Sequence, residues 1–316
     1  MIDILMATYN GMPYLREQIE SIIGQTYADW NLLISDDCSS DETVAVIEEY
    51  VQRDSRIKLV SSESRYGCAK SNFINLVKYS SAEYAMFCDQ DDVWLPNKIE
   101  LTIGCMHELE KSHERAAALL VFTDMFVVDE NLSVIADSFE ALSNIDPERV
   151  LFRQLLAQSV GAGCTMMINR VLIGLLNESS DVENMIMHDW WASLIAACFG
   201  SIGHVAVSTS LYRQHSDNSV GAVEYAPIRK LVDHTSMVDS VLGTFLQAES
   251  FRKQFGPRMT KENYHILSEY ANIVNEKPFN RILKLIKSGC WKKGMRKIGQ
   301  VLACLEMGSP AERVNQ

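Results

Sequence analysis

Residues 84–92 read Tyr-Ala-Met-Phe-Cys-Asp-Gln-Asp-Asp, an apolar run followed directly by three acidic side chains within four positions. The apolar run predicts a short buried strand, and the acids predict that the chain leaves the core there. Three carboxylates this close repel one another, so a fold retains them at low cost only where they are exposed or neutralised. Hard oxygen ligands suit Mg²⁺ or Mn²⁺. The alternative is an acidic loop that caps the next helix, and the surrounding sequence favours the metal.

The chain before this stretch alternates strand and helix patterns. Apolar runs predict strands at 2–7, 30–34, 57–60 and 84–88, and helical spacing predicts helices at 14–24, 41–53 and 71–79. This order predicts an α/β, Rossmann-like fold with a mainly parallel sheet and helices on both faces. Ligands of such sheets bind beyond the carboxyl ends of the strands. Because the polar clusters at 8–11, 36–41 and 89–92 follow predicted strands, we expect them to meet in one crevice.

The later chain contains two further predicted strands and then a change of pattern. The strands are 119–129 and 163–169. Residues 190–212 contain no Asp, Glu, Lys or Arg, but the glycines at 200 and 203 favour a buried helix followed by a strand over a membrane span. Beyond about 225 only helical patterns occur. We therefore expect a boundary near 220–226, a first domain over 1–224 with halves of about 1–100 and 101–224, and a C-terminal helical extension over 225–316.

Composition limits the class of function. The 316 residues carry a formal net charge of −12, which argues against nucleic-acid binding because a phosphate backbone requires a basic surface. Eight cysteines occur without any C-x-x-C pair, so neither a zinc site nor a disulfide framework is predicted. The N-terminus has an acid where a signal peptide has basic residues. We expect a soluble, cytoplasmic protein.

An ordered series of motifs carries a resemblance to a known family. Thr8-Tyr9-Asn10, then Ser35-Asp36-Asp37-x-Ser39-x-Asp41, then Asp89-x-Asp91-Asp92 resemble the family 2 glycosyltransferases, which share the GT-A fold, and the match runs from Ile2 to about Gly221. Other motifs are similar to those of bacterial rhamnosyltransferases that build cell-wall and O-antigen polysaccharides. They are Gly67-x-Ala69-Lys70-x-Asn72-Phe73, Gly161-x-Gly163-Cys164-Thr165-Met166, Met187-His188-Asp189-Trp190-Trp191 and Leu211-Tyr212-Arg213-Gln214-His215.

The resemblance implies a role for each matching residue. Nucleotide-sugar binding falls to Thr8, Tyr9, Asn10, Asp36, Asp37, Lys70, Asp89 and Gln90, with the pyrimidine base near Asp37 and the diphosphate near Lys70. Asp91 would be the direct ligand of Mg²⁺ or Mn²⁺, assisted by Asp89 and Asp92 and completed by His215. Asp189 would be the catalytic base. The wall of the donor-sugar or acceptor site would contain Gly163, Cys164, Thr165, His188, Trp190 and Trp191.

Plainer interpretations stay open for several of these residues. Asp189 is also suited to cap a helix, His215 to lie on the surface, and Ser39 to Thr43 to cap the second helix. Trp190 and Trp191 are either core residues or a platform for a sugar, and residues 161–165 are either a wall or a bulged strand. Two departures from the family pattern matter: Cys38 stands where glycine is common, and the Gln-x-x-Arg-Trp motif of processive synthases is missing.

The resemblance leads to a specific functional expectation. We expect an inverting transferase of bacterial surface polysaccharide synthesis that moves L-rhamnose from dTDP-L-rhamnose, a nucleoside-diphosphate sugar, to a saccharide acceptor. We expect this acceptor to be lipid-linked. A UDP-hexose donor, such as UDP-galactose or UDP-glucose, and a non-catalytic sugar-nucleotide-binding subunit are the alternatives. The basic, partly apolar residues 280–299 predict either peripheral contact with the anionic inner face of the membrane or a subunit contact such as a homodimer.

Overall fold

In a computed structural model that describes residues 1–215 and 234–307, nine strands form one sheet. The predicted boundary near 220–226 lies outside the described residues. The first four strands are mutually parallel in the order β3-β2-β1-β4. Their bounds are β1 (Ile2–Thr8), β2 (Trp30–Asp36), β3 (Ile57–Ser61) and β4 (Tyr84–Cys88). The predicted parallel half of the sheet is therefore confirmed.

Four helices cover the two faces of this parallel half. They are α1 (Leu15–Ile23), α2 (Thr43–Arg53), α3 (Ala69–Val77) and α4 (Lys98–Lys111). Side chains of a strand alternate between faces. In β1, Ile4 and Met6 pack in one core cluster with α1, α2 and α4, whereas Leu5 belongs to a second cluster with α3. The helices thus lie on both faces, as an α/β sheet requires.

The second half of the sheet is mixed rather than parallel. It contains β5 (Val93–Trp94), β6 (Ala118–Val128), β7 (Val134–Ala136), β8 (Met167–Asn169) and β9 (Gly200–Arg213). Strand β8 lies antiparallel between β4 and β6, and β9 pairs parallel with β6 and antiparallel with β5. These antiparallel pairings were not expected, because a pairing partner distant in sequence leaves no local signal.

One predicted strand is largely wrong. Of residues 163–169, only 167–169 form a strand, while Gly163–Thr165 form one turn of 3₁₀ helix. Glycine lacks a side chain that packs on a sheet, so the Gly161-x-Gly163 pattern weakens strand formation. The turn places the backbone N–H of Gly163 on a carboxylate of another element, described below.

The uncharged stretch 190–212 forms a helix followed directly by a strand, as predicted. Four more helices precede β9: α5 (Phe139–Leu142), α6 (Phe152–Leu155), α7 (Arg170–Asn177) and α8 (His188–Phe199). Gly200 joins α8 to β9, and a Cβ there would lie 2.0 Å from the carbonyl oxygen of Ala118. Only glycine permits so close an approach. Among the described residues, no helix is long and apolar enough to cross a bilayer.

The described C-terminal residues are helical without strands, as expected. They form α9 (His234–Phe255), α10 (Lys261–Ala271), α11 (Pro278–Ser288) and α12 (Arg296–Glu306). Helix α9 packs against α8, with the rings of Phe251 and Trp191 at a centroid distance of 5.1 Å. These helices share one hydrophobic cluster with a face of the sheet.

Candidate active site

The structure brings the three polar clusters together at the carboxyl ends of β1, β2 and β4. Thr8 ends β1 opposite Asp36 of β2, and its hydroxyl donates to Asp36 Oδ1 at 2.8 Å. The Gln90 side chain, which follows β4, joins the backbone of Tyr9 through two hydrogen bonds of 2.9 and 3.0 Å. Residues eighty positions apart thus line one crevice, as parallel strands predict.

Asp36 and Asn10 support the crevice rather than open into it. Asp36 is fully buried, and both of its oxygen atoms accept hydrogen bonds, from Thr8 and from the backbone and hydroxyl of Ser39. Asn10 Oδ1 accepts from the backbone N–H of Ser40 at 2.8 Å. Cys38 has φ 60°, a left-handed conformation that glycine adopts most easily. The turn typical of glycine is therefore kept despite the cysteine.

Asp37 holds the loop that precedes α3. Its carboxylate accepts from the backbone N–H groups of Tyr66 and Gly67. Lys70, at the start of α3, donates to the carbonyl oxygens of Glu183 and Met185, at 3.0 and 2.6 Å, in the loop that leads into α8. Tyr9 is half exposed at the mouth of the crevice. Of the predicted nucleotide-binding residues, Tyr9 and Asn10 are the exposed ones.

The acidic cluster divides into two groups. Asp91 Oδ2 lies 2.8 Å from His215 Nε2, so the chain after β9 returns to the loop after β4. Ligand atoms of Asp89, Asp92 and Cys164 lie within 4.8 Å of one another. The sequence interpretation paired Asp89 and Asp91 with His215 and did not include Cys164 among the ligand-type side chains.

The electrostatics of this cluster favour the binding of a cation. Burial, and then the charges of Asp91 and Asp189, raise the pKa of Asp89 to about 7. Burial, and then the charges of Asp91 and Asp89, raise the pKa of Asp92 well above its usual value. Asp92 Oδ1 accepts from the backbone of Arg213, whereas its Oδ2 has no hydrogen-bond partner among the described residues. A buried oxygen without a partner is costly, and a divalent cation would offset both this cost and the repulsion.

Asp189 begins helix α8 beside this cluster. Its Oδ2 accepts from the backbone N–H of Gly163 at 2.8 Å, and its Oδ1 accepts from that of Trp190 at 2.6 Å. Burial raises the pKa of this carboxyl to about 6, and the two hydrogen bonds oppose that rise. The carboxylate is thus held in one orientation, ionised at neutral pH and still basic enough to accept a proton.

The predicted wall requires correction at two residues. Trp191 is fully buried against Phe251 and Phe255, with its Nε1 donating to Ser179 Oγ, so it is a core residue and not a sugar platform. His188 is stacked on Phe73 at 4.1 Å and buried, and burial lowers the pKa of its imidazole to about 3. The helical period explains both, because residues 188 and 191 lie on the same, inward side of α8.

The remaining wall residues lie in the 3₁₀ turn and at the start of α8. Cys164 and Thr165 are buried, and the Thr165 hydroxyl donates to the carbonyl of Ala162 at 2.7 Å. Trp190 is partly exposed, and its Nε1 donates to the carbonyl of Leu155. A Cβ at Gly163 would lie 2.8 Å from His188 Nε2. A side chain at position 163 would therefore require the buried His188 ring to move.

The sequence interpretation missed Arg213 as a positioning residue. Its buried guanidinium donates to the backbone carbonyls of Asp91 and Glu130, at 2.9 and 2.7 Å, and pairs with Glu17 of α1. The Tyr14 ring lies 4.6 Å from the Arg213 guanidinium and 4.8 Å from the His215 ring. Arg213 thus ties the acidic loop to α1 and to His215. In the sequence, the signal for this role was the position of the arginine, two residues before the candidate metal ligand His215.

Comparisons with known proteins agree with this geometry. Residues 3–170 match the family model described as "Glycosyl transferase family 2". The dTDP-rhamnosyl transferase RfbG of Shigella flexneri is 31% identical over 229 residues, 69% of this chain and 74% of that protein. The UDP-Glc:alpha-D-GlcNAc-diphosphoundecaprenol beta-1,3-glucosyltransferase WfgD of Escherichia coli is 31% identical over 181 residues, 55% of this chain and 62% of that protein.

Two solved structures resemble the chain in fold. S. aureus TarS 1–349 in complex with UDP-GlcNAc has a TM-score of 0.53 at 13% identity, covering 100% of this chain and 92% of that one. A Pyrobaculum calidifontis mannosyltransferase in complex with GDP-Man and Mn²⁺ has a TM-score of 0.53 at 15% identity, covering 96% and 81%. The family model spans more than half of the chain and the GT-A-like fold agrees with it. The chain therefore belongs to glycosyl transferase family 2.

Proposed function

We propose that the chain is an inverting rhamnosyltransferase that uses dTDP-L-rhamnose and a saccharide acceptor in bacterial surface polysaccharide synthesis. The observation that carries the reaction type is the oriented carboxylate of Asp189 beside a cluster of three acids, of which Asp92 is fully buried. The similarity to a dTDP-rhamnosyl transferase over 69% of the chain supports the donor. In this proposal no side chain forms a covalent bond to the sugar. The sugar is therefore transferred in a single displacement, which inverts the configuration of the anomeric carbon.

Asp189 supplies the base for this displacement. As the acceptor hydroxyl oxygen forms a bond to the anomeric carbon, its proton passes to a carboxylate oxygen of Asp189. The bond from the anomeric carbon to the diphosphate oxygen breaks, and the electron pair leaves with the nucleoside diphosphate. The hydrogen bonds from Gly163 and Trp190 keep the carboxylate in place during this transfer. Inversion gives an α-linked rhamnosyl product.

The donor set fits Mg²⁺ or Mn²⁺. Asp91, Asp89 and His215 would hold the cation, with Asp92 supporting, and the unpaired Asp92 Oδ2 is the structural feature that favours an added positive charge. A cation there would stabilise the negative charge of the leaving diphosphate. Arg213 and Tyr14 keep His215 and the loop of Asp91 together.

Metal binding is testable without turnover. We expect Mn²⁺ to bind the protein in the presence of dTDP, measured by electron paramagnetic resonance of the free ion. Asp91→Asn and His215→Ala should each weaken this binding by at least about tenfold, because each removes a ligand or the group that orients it. Asp146→Asn, a carboxylate whose oxygen accepts from the backbone of Glu148, is the matched control. Equal binding by all three variants would exclude the Asp91 and His215 site.

A UDP-hexose donor is the second candidate, because a UDP-glucose-using transferase is similar over 55% of this chain. The purified protein with Mn²⁺ is to be incubated with dTDP-L-rhamnose, UDP-glucose and UDP-galactose, and the nucleoside diphosphate released is measured. Release from dTDP-L-rhamnose alone supports the proposal. Turnover only with a UDP-hexose would contradict it, and no release from any donor, with acceptors present, would favour a non-catalytic sugar-nucleotide-binding subunit.

The acceptor proposed is a lipid-linked saccharide. The relative from Escherichia coli carries a diphosphoundecaprenol-linked sugar in its name, and this similarity is the support. Such an acceptor places the reaction at the cytoplasmic face of the membrane, where nucleotide sugars are available. Tyr9 is half exposed and Trp190 is partly exposed, so both aromatic side chains have surface that a saccharide could contact in this proposal.

A further inference from the structure

Helix α11 has an apolar stripe on its outward face. Phe279, Leu283 and Ile286 are 73%, 43% and 58% exposed. At 100° per residue, these three positions fall within one narrow stripe of the helix. The buried residues of the helix, Arg281, Leu285 and Ser288, fall on the opposite side. The helix therefore packs on the protein with one face and presents a hydrophobic face outward in the described part of the chain.

The charge around this stripe differs from the rest of the protein. Residues 277–299 contain eight of the 29 Lys and Arg residues and no Asp or Glu, in a chain of net charge −12. Lys277, Lys287 and Lys297 are exposed. Met295, just before α12, and Ile298, in its first turn, are also 49% and 47% exposed. An apolar stripe beside lysines is the pattern of a helix that lies in the interface of an anionic bilayer.

The structure also shows which basic residues of the segment 280–299 form contacts within the protein. Arg281 is buried and donates to the carbonyls of Cys304 and Met307, and Lys284 lies 3.5 Å from Glu269 and 3.7 Å from Glu276. Arg296 donates to the carbonyl of Ser143 at 2.7 Å. These three cations bind groups within the protein. The surface lysines and the apolar stripe are therefore the part of this segment that is available to a partner.

We propose that this surface, defined by Lys277, Phe279, Leu283, Ile286, Lys287 and Lys297, docks the protein on an anionic lipid bilayer. The apolar side chains enter the headgroup boundary, and the lysines contact lipid phosphates. The argument for this occupant is charge complementarity, because a second copy would bring its own lysines against these lysines. The docking does not depend on which sugar is transferred.

The test is sedimentation of the whole protein with vesicles, independent of turnover. We expect binding to vesicles that contain phosphatidylglycerol, weak binding to vesicles of phosphatidylcholine alone, and release by salt. Ile286→Gln should weaken partitioning about tenfold, the factor that corresponds to roughly 1.4 kcal/mol of apolar transfer. Lys287→Gln should weaken it about fivefold on the anionic vesicles only.

The control is Ile135→Gln in β7, because Ile135 is 58% exposed, the same fraction as Ile286. It should leave partitioning unchanged, and a similar thermal midpoint for all variants shows that they fold. Equal partitioning of Ile286→Gln and the wild type would overturn the proposal. So would a wild-type dimer, measured by light scattering, that Ile286→Gln dissociates while vesicles bind neither protein.

Discussion

At the scale of single residues, the proposed role of Asp189 as the base leads to an expected response of the reaction to pH. Burial raises the pKa of its carboxyl to about 6, so the carboxylate form, which alone accepts a proton, is lost as the pH falls through that value. We expect kcat/KM to be level above this pKa and to fall about tenfold per pH unit below it. A bound cation nearby favours the carboxylate and would move the midpoint lower.

The pH profile has to separate Asp189 from the acidic cluster, since the pKa of Asp89 is raised to about 7. The profile is therefore to be measured at two saturating concentrations of Mn²⁺. A midpoint that stays fixed assigns the titration to Asp189. A midpoint that falls as Mn²⁺ is raised would assign it to the metal-binding carboxylates instead.

Substitution of Asp189 by asparagine keeps the size of the side chain and removes its basicity. We expect Asp189→Asn to lower kcat by about 10²–10⁴, the usual contribution of a general base. Binding of dTDP with Mn²⁺, measured by calorimetry, should stay unchanged because the nucleotide does not require this proton transfer. Near-normal turnover by the variant would show that another group is the base.

At the scale of elements, the 3₁₀ turn over Gly163–Thr165 links the wall to the base. A Cβ at position 163 would lie 2.8 Å from His188 Nε2, while the N–H of Gly163 donates to Asp189. We expect Gly163→Ala to cost about 1–3 kcal/mol of stability, because a packed neighbour must move. It should also lower kcat, since the donor to Asp189 moves with the turn. Chemical unfolding and single-turnover kinetics measure the two effects.

Gly104→Ala is the matched control for that variant. Gly104 lies inside α4, and a Cβ there would meet nothing within 4 Å. Alanine in a helix interior is favoured over glycine by roughly 0.5–1 kcal/mol. The control should therefore raise stability without changing kcat. If Gly163→Ala behaves like Gly104→Ala, the turn does not position the base.

The same elements show why sequence predicts some of the fold and not all of it. Strands β1 to β4 and helices α1 to α3 were predicted to within a few residues, because hydrophobic periodicity is local, whereas the short strand β5 was not predicted. The 3₁₀ turn and the antiparallel β8 depend on partners distant in sequence. Trp191 and Arg213 illustrate the limit at the site: burial of the tryptophan depends on α9, and the contacts of the arginine span up to 196 positions.

At the scale of the whole molecule, the C-terminal helices and the sheet form one hydrophobic core. Trp191 of α8, Phe251 of α9 and Leu285 of α11 are all buried in the same cluster. A separate helical domain over 225–316 would instead have a core of its own. The described helices 234–307 therefore pack in one core with α8, and we propose that they unfold together with it.

Phe251→Ala tests this shared core. The side chain is fully buried and contacts the Trp191 ring, so we expect a loss of about 3–5 kcal/mol of stability. Tryptophan fluorescence, to which four tryptophans before the C-terminal helices and Trp291 contribute, and far-ultraviolet circular dichroism, which reports on all helices, should show one common midpoint that falls in the variant. Leu246→Ala on the same helix, where Leu246 is 41% exposed, should change the midpoint little.

Two separate transitions, with only the helical signal shifted by Phe251→Ala, would show that the C-terminal helices are an independent unit. A single shifted transition instead means that the orientation of Asp189, at the start of the helix that carries Trp191, depends on the packing of α9.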